Sequence, residues 1–586
     1  MARPFDRARA FERQGAGCDF DRFGGRLIAR AHGHRNPHHS SDPRSEHVPC
    51  APLPEVRSVP YWPPASFPLA GSRRKLSHGA PARAGLRRVR RTCRRDFCHQ
   101  ERSLMRLRVR FVVAATALAV ACGPPPREFD SGTAIENVSV VDPAAGTVTD
   151  GRTVVVQRTR IAAVSEPDDL LLGEGVERID GAGGYLIPGL WDMHVHEFSS
   201  FFPPALPVYI ANGVTGVRDM WGELPVAREA WDGIAAGDRV GPRAVISGNI
   251  TDGANAWFPG SVIADSPERA RFVVDSLVDA GAGFIKVYSA LEADAFAAIA
   301  EQATARGVDV AGHVPFSVPA RDAADAGMRS MTHMFGVIEG CSANDSEVRA
   351  SRAEWMALRA AGDEFTNPFF DIGLYRTILD AADDDVCRAL LAHLAANGTW
   401  LTPTLAVLNN LAYLHQLREE DDPRLQYMPQ AITAGWQVPF PGTETDTPAD
   451  IEAREAFLAR QLAVTGMAAA TGVGILAGTD TPNPFVYPGF SLHDELELLV
   501  QAGLSPREAL AAATTAPAEF LGATDSLGAV AEGKLADLVL LQANPLDAIG
   551  NTRDIVLVVA NGRFFSRGEL DALLEEVRRE RGEAGF

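Results

Sequence analysis

Eight short apolar runs, each followed by an amphipathic stretch, constrain this chain more than any other feature of its sequence. They are Leu190–His194, Val214–Asp219, Arg243–Ser247, Phe284–Tyr288, Val308–His313, Ser330–His333, Thr399–Thr404 and Val473–Gly478. Runs of this length between helical stretches read as βα units around a parallel sheet. Eight is the number that closes a (β/α)8 barrel. The predicted fold is therefore α/β, with a TIM barrel over residues 188–523. Helices are predicted at Ser266–Ala280 and Glu292–Arg306, the first with Ser266 as N-cap and Pro267 in its first turn. A single helix is predicted over Ser505–Leu521, capped by Ser505. Two connections are long, 336–397 and 406–470. The second includes the acidic Glu419–Asp422 and the turn-rich Pro441–Pro448. Insertions of this size are expected over the mouth of a barrel.

Both flanks of this region read as β. Asn137–Asp142, Arg152–Gln157 and Arg160–Val164 are short alternating runs with polar turns between them. The character returns at Ala536–Leu541 and Ile555–Val559, followed by Asn561-Gly562-Arg563. The simplest arrangement joins them in one small β-sandwich, residues 133–187 with 524–567, into which the barrel is inserted. Residues 568–586 are predicted to form a charged surface helix.

Histidines, a lysine and an aspartate cluster at the ends of the predicted strands. His194 and His196 are two apart on a strand and so share a face. At the C-terminal end of a barrel strand that face looks into the site. Two imidazoles there can grip a divalent metal, whereas an isolated HxH is more often a surface pair. Lys286 lies inside the apolar Gly283–Tyr288 run, where burial pushes an amine towards its neutral form. A neutral amine can add carbon dioxide, and the resulting carbamate could bridge two cations. The bland alternative is a lysine snorkelling from a strand end. His313 and His333 each end a strand and suit a second metal. Asp480 follows Gly478-Thr479 at the eighth strand and could both ligate metal and accept a proton from water. Phe485 and Tyr487, just beyond Asp480, are candidates for a substrate pocket, as are Tyr288 and His493.

Together these positions resemble the amidohydrolase superfamily. Gly189-Leu190-Trp191-Asp192-Met193-His194-Val195-His196 is similar to its first-strand motif. Lys286, His313, His333 and Asp480 match, in order, its carboxylated lysine, two later histidines and final aspartate. Gly398–Leu405, Ala477–Asp480 and Gly533–Val539 resemble the imidazolonepropionase-like and Xaa-Pro dipeptidase (prolidase)-like branch. The resemblance implies two divalent metals, commonly zinc. His194, His196 and Asp480 would hold one, His313 and His333 the other, with carboxylated Lys286 and a hydroxide between them. It implies hydrolysis of a C–N bond in a small amide, dipeptide or cyclic amide, with Asp480 as general acid/base. The alternative is an inactive relative, a lipoprotein of this fold that only binds. A homo-oligomer fits either reading.

The first 104 residues stand apart. They carry 21 basic and 9 acidic residues, +12 of a net charge of −19, so the remainder of the chain is −31. Such asymmetry marks two different objects. Runs such as Arg87-Arg88-Val89-Arg90-Arg91 could serve a nucleic-acid arm or a targeting segment. The simpler reading is that translation begins at Met105, which leaves no nucleic-acid partner. Met105–Arg110 is a short basic start, followed by an uncharged run from Phe111 to Ala121 and then Cys122. This is the layout of an export signal, too short to span a bilayer. Leu118-Ala119-Val120-Ala121-Cys122 resembles a bacterial lipobox, although Ala119 stands where Leu is usual. The expectation is an exported protein, periplasmic or on the outer surface. It would be anchored by lipid on Cys122 through a tether at 123–132, and a plain secretory signal is the alternative. Four of the seven cysteines lie in the leader. Cys341 and Cys387 could pair in an oxidising compartment or stay buried thiols; the sequence leaves both open.

Overall fold

A computed structural model describes residues 125–583 apart from 199–204, 259, 362–370, 419–420 and 438–446. The leader, the export signal, Cys122 and the start of the tether lie outside the described residues. So do Glu419, Glu420 and most of the Pro441–Pro448 segment.

All eight apolar runs contain a strand: Leu190–Val195, Val214–Asp219, Arg243–Ile246, Phe284–Val287, Asp309–Gly312, Met328–Thr332, Trp400–Thr402 and Gly474–Ile475. Every residue of the first two is buried, as expected of parallel strands covered on both faces. The first three form one parallel sheet. The other five form a second, in chain order and all parallel, with two short strands at its edge, Thr251–Asp252 and Val262–Ile263, which the sequence reading did not anticipate. Hydrogen bonds tie the two sheets together at both seams. Met193 N donates to Ala477 O (2.8 Å) and Asp480 N to His194 O (2.7 Å), while Gly283 N donates to Ile246 O (2.8 Å).

Helices cover these strands from outside. Pro267–Asp279 begins where Ser266 accepts from Arg269 N, and Ala293–Arg306 ends at Gly307 in the left-handed region. The single helix expected over Ser505–Leu521 is instead two, Pro506–Ala512 and Thr515–Phe520. The break falls where Pro517 has no N–H to give the carbonyl of Ala513, four residues earlier. Ala513 O and Ala512 O instead accept from Trp191 N and Ala477 N. The first helix opens with a reciprocal capping box between Ser505 and Glu508.

Both ends of the chain enter one eight-stranded sheet. Gly132–Asp142, Thr147–Gln157 and Arg160–Ser165 form an antiparallel meander. Tyr185–Pro188 pairs parallel with the first of these and antiparallel with Leu538–Leu541, and so joins the two halves. Val176–Asp180 pairs parallel with Gly132–Asp142, and Ile555–Ala560 and Arg563–Ser566 complete the sheet as a hairpin. Its two-residue turn is Asn561-Gly562, both at positive φ (52° and 75°), the geometry that makes Asn-Gly the preferred hairpin pair. The terminal helix, Arg567–Glu583, is not simply a surface element. Leu570 and Val577 are buried, and Val577 packs against Ala205 and Val208.

The two insertions are helical. The first carries Asp345–Ala361, Ile372–Asp380 and Asp384–Asn397, and a Cys341–Cys387 disulfide pins its base. The second carries the 24-residue helix Pro448–Thr471, started by a capping box at Thr447. Earlier in the same insertion Leu414, Met428 and Trp436 form an apolar cluster with Phe485 and Tyr487.

Candidate metal centre

His194 and His196 project from the end of the Leu190–Val195 strand and meet Asp480 from the opposite side of a seam. Their Nε2 atoms lie 3.2 Å and 2.8 Å from Asp480 Oδ1. Asp480 reaches this position through a left-handed backbone (φ 66°), held by its amide on His194 O. His333 (φ 59°) and Thr404 (φ 52°) adopt the same unusual conformation. Non-glycine residues held there collect where the surrounding structure demands a particular side-chain aim.

The remaining donors close around this pair. His333 Nδ1 is 3.8 Å from Asp480 Oδ2 and shares a 2.7 Å hydrogen bond with Thr404 Oγ1. His313 Nδ1 shares a 2.8 Å hydrogen bond with Ser289 Oγ. The His333 ring lies 4.6 Å from that of His194 and 4.8 Å from that of His313. Lys286 Nζ sits 3.5 Å from His194 Nε2. Among the described residues, His194, His333 and Asp480 offer ligand atoms all within 4.8 Å of one another. The structure thus brings together all six residues expected to hold metal.

Burial sets their charge states. Desolvation drives the His194 and His313 imidazoles well below their ordinary range, and that of His333 down to about 3. The Lys286 amine is pushed down to about 7, chiefly by burial, with Asp480 opposing. Burial would raise Asp480, but His333, His194 and the hydrogen bonds from His194 and His196 hold it well below the usual carboxylate range. His194, His313 and His333 are therefore uncharged imidazoles beside one carboxylate and an amine near neutrality. Converging nitrogen lone pairs and an anionic oxygen, shielded from water, fit a divalent cation. The buried Nδ1 atoms of His194 and His196 have no hydrogen-bond partner, so nothing else claims these rings.

Several supporting residues escaped the sequence reading. Asp192, buried and raised to about 7 by desolvation, accepts from His194 N (3.2 Å), Thr479 N (3.0 Å) and Thr479 Oγ1 (2.7 Å). It fastens the HxH strand to the segment bearing Asp480. Arg218, fully buried, donates to Met193 O, Ser330 Oγ and Thr402 Oγ1, and so links three strands beneath the cluster. Asp219 accepts from Glu197 N, Phe198 N and Trp221 N. The available signal was an Arg-Asp pair inside an otherwise apolar strand.

The expected substrate residues divide. Tyr288 stacks on His313, with ring centroids 3.8 Å apart. Phe485, Tyr487 and His493 are not brought to the cluster. Phe485 and Tyr487 are buried against Trp436 (5.5 and 5.8 Å), and Arg424 covers Tyr487 at 4.5 Å. His493 is consumed by Thr552 Oγ1 (2.9 Å) and Asn212 O (3.1 Å). The chain turns sharply at Asp480, so the aromatics that follow it serve the second insertion.

Comparison with known proteins gives a consistent result. Residues 185–565 match the amidohydrolase family. None of the curated proteins matches. Among solved structures, a bottromycin amidohydrolase is 27% identical, with 77% of this chain and 90% of that chain covered at a TM-score of 0.60. A putative prolidase from Bifidobacterium longum is 26% identical, covering 76% and 99% at 0.53. A Xaa-Pro dipeptidase with bound methionine shares the fold at 19% identity, covering 74% and 100% at 0.52.

Proposed function

We propose, from the fact that this chain belongs to the amidohydrolase family, that it is a metal-dependent hydrolase cleaving a C–N bond in a small amide or dipeptide. The observation that carries the reading is the convergence of His194, His196 and His333 on Asp480, with buried Lys286 and His313 alongside. The hydrogen bonds across both seams support a closed (β/α)8 barrel, with the sheet from the two chain ends as the sandwich-like domain carrying it.

His194, His196 and Asp480 would hold one divalent ion, zinc being the first candidate, and His313 and His333 a second, with Lys286 carboxylated between them. Bound metal supplies water acidified towards neutrality and polarisation of the substrate carbonyl. Asp480 accepts the proton that the attacking water gives up and returns it to the leaving nitrogen. Its neighbours hold the carboxylate ionised. Thr404 and Ser289 orient the rings of His333 and His313 through hydrogen bonds to their Nδ1 atoms. Tyr288 walls the site beside His313. The prolidase and the bottromycin amidohydrolase among its structural relatives support a peptide-like substrate. Export through Met105–Cys122, with lipid on Cys122, agrees with the Cys341–Cys387 disulfide, since such bonds persist in oxidising compartments.

The test is metal analysis of purified protein, followed by hydrolysis of dipeptides, N-acyl amino acids and cyclic amides. Bound metal, activity lost to chelator and restored by zinc, and a fall of about 10²–10⁴-fold in Asp480→Asn at unchanged fold support the reading. An Asp480→Asn enzyme that holds metal and turns over at the wild-type rate refutes the role of Asp480.

A further inference from the structure

We infer that Glu495, on the helix Phe490–Gln501, is a positioning residue that sets the His333 ring for metal by freeing the hydroxyl of Thr404; the inference rests on the metal-dependent reading above and extends it to a residue outside the cluster. Thr404 opens the helix Leu405–Ala412. A threonine in that place ordinarily turns its hydroxyl onto an amide of the first helical turn. Thr404 makes no such bond, and its backbone is left-handed, at φ 52° and ψ 49°. For a β-branched residue this is a rare conformation. Its hydroxyl goes elsewhere: it donates to Pro403 O at 2.7 Å and meets His333 Nδ1 at 2.7 Å. A hydroxyl has one proton to give. With that proton on Pro403 O, the oxygen accepts from the Nδ1–H of His333, and the lone pair of the ring is at Nε2. Fixing the tautomer of a ligating imidazole in this way is what a contact behind a metal site does. His333 N also donates to Thr402 O at 3.2 Å, so the segment 402–404 holds both the backbone and the ring of His333.

A helix that starts without its own cap needs another acceptor for its first amides. Glu495 supplies one from a distant part of the chain, its Oε2 accepting from Ala406 N at 2.7 Å. Both partners are buried. On the same helix Leu492, Leu496 and Leu499 are buried too, so packing alone would be served by a further leucine at 495. A carboxyl in such surroundings is costly unless its hydrogen bonds are needed. The need is at Ala406. Without Glu495 that buried N–H has no acceptor, and the hydroxyl of Thr404, at the N-cap, is the natural replacement. It would then be drawn away from His333. The carboxyl of Glu495 and the ring of His333 are thus linked through one threonine, although neither touches the other's partner.

The test is the affinity for zinc, by competition with a chelator, in Glu495→Leu, Glu495→Gln, Thr404→Val and the double variant Glu495→Leu with Thr404→Val. Glu495→Leu and Thr404→Val should each weaken zinc binding about 10–100-fold. Glu495→Gln keeps an acceptor for Ala406 N and should stay close to wild type. The double variant should bind within about twofold of the weaker single variant, because both changes act on one contact to His333. A carboxyl that only stabilises the fold gives losses that multiply in the double variant, or no loss of affinity at all. Unchanged zinc affinity in Glu495→Leu, multiplied losses in the double variant, or a Glu495→Gln protein as weak as Glu495→Leu overturns the inference. Should Glu495→Leu not fold, Glu495→Asp takes its place, since it keeps the charge but shortens the reach to Ala406 N; the same loss is expected, and wild-type affinity there refutes. If wild-type protein binds no zinc, the metal reading fails. Hydrogen exchange over residues 330–336 and 400–412 then still decides whether Glu495 holds His333: both segments should exchange faster in Glu495→Leu than in Glu495→Gln, and equal rates overturn the inference.

Discussion

Replacing Thr479 by valine removes one hydroxyl from the segment that presents Asp480, and the structure says what that hydroxyl holds. Asp192 is fully buried, and its two oxygens are served unequally. Oδ1 accepts two backbone amides, His194 N and Thr479 N, whereas Oδ2 accepts only from Thr479 Oγ1, at 2.7 Å. Valine fills nearly the same volume but leaves Oδ2 without a partner in a site closed to water. A buried acceptor stripped of its partner costs roughly 1–3 kcal/mol, so the loss should be about 2 kcal/mol. For a chain this large that lowers Tm by only about 2 °C. The larger effect should fall on function. Asp192 bonds the amides of both His194 and Thr479, so its displacement shifts the HxH strand and Asp480 together. Losses of about 10–100-fold in metal affinity or turnover follow from such supporting contacts. The assay is zinc affinity by competition with a chelator, paired with kcat/KM on the best substrate found and a thermal melt. Thr479→Ser keeps the hydroxyl and should stay near wild type. If valine leaves zinc affinity and kcat/KM unchanged, or serine is as damaging as valine, the linkage through Asp192 is wrong.

Two further outcomes are expected. Glu495 is buried, accepts from Ala406 N at 2.7 Å, and is raised to about 8, foremost by desolvation. The folded protein keeps this proton while the unfolded chain releases it near pH 4.5, so stability is lost as pH rises from about 4.5 to 8, by at most about 5 kcal/mol. Glu495→Gln keeps an acceptor and has no proton to lose, so its Tm should fall less between pH 5 and pH 8; parallel curves for the two proteins would contradict this. Trp436→Ala empties the buried contact with Phe485 and Tyr487 and should cost roughly 3–5 kcal/mol, with faster proteolytic cleavage in the second insertion; an unchanged melt and cleavage rate would show that this cluster does not anchor it.

The parts of the fold written locally were legible. The eight strands are mostly apolar, and their neighbours' caps and the Asn561-Gly562 turn are short-range chemistry. The candidate ligands were legible because an imidazole or amine at the end of an apolar run has few reasons to be there. The break in the helix over Ser505–Leu521 was legible too, at Pro517, which cannot donate to Ala513 O. What else failed was set by distant residues. Phe485 and Tyr487 lie close to Asp480 in sequence, but the left-handed turn there hands them to Trp436. The ring cluster of Trp257, Phe316 and Trp355 was invisible because its members come from three segments, none unusual alone.

The sheet that joins the two ends of the chain also dictates an order of events. Tyr185–Pro188 is made early, yet its antiparallel partner Leu538–Leu541 emerges some 350 residues later. Until then one edge of the early sheet stays open, and open edges invite pairing with other chains. The terminal helix arrives later still, and Val577 then packs beside Val208, on the helix that follows the HxH strand. Loss of the last few dozen residues would thus leave the metal ligands intact in sequence while unseating the strand that carries two of them. Truncation from the C-terminus therefore acts on the site through packing, without removing any of the residues that meet there.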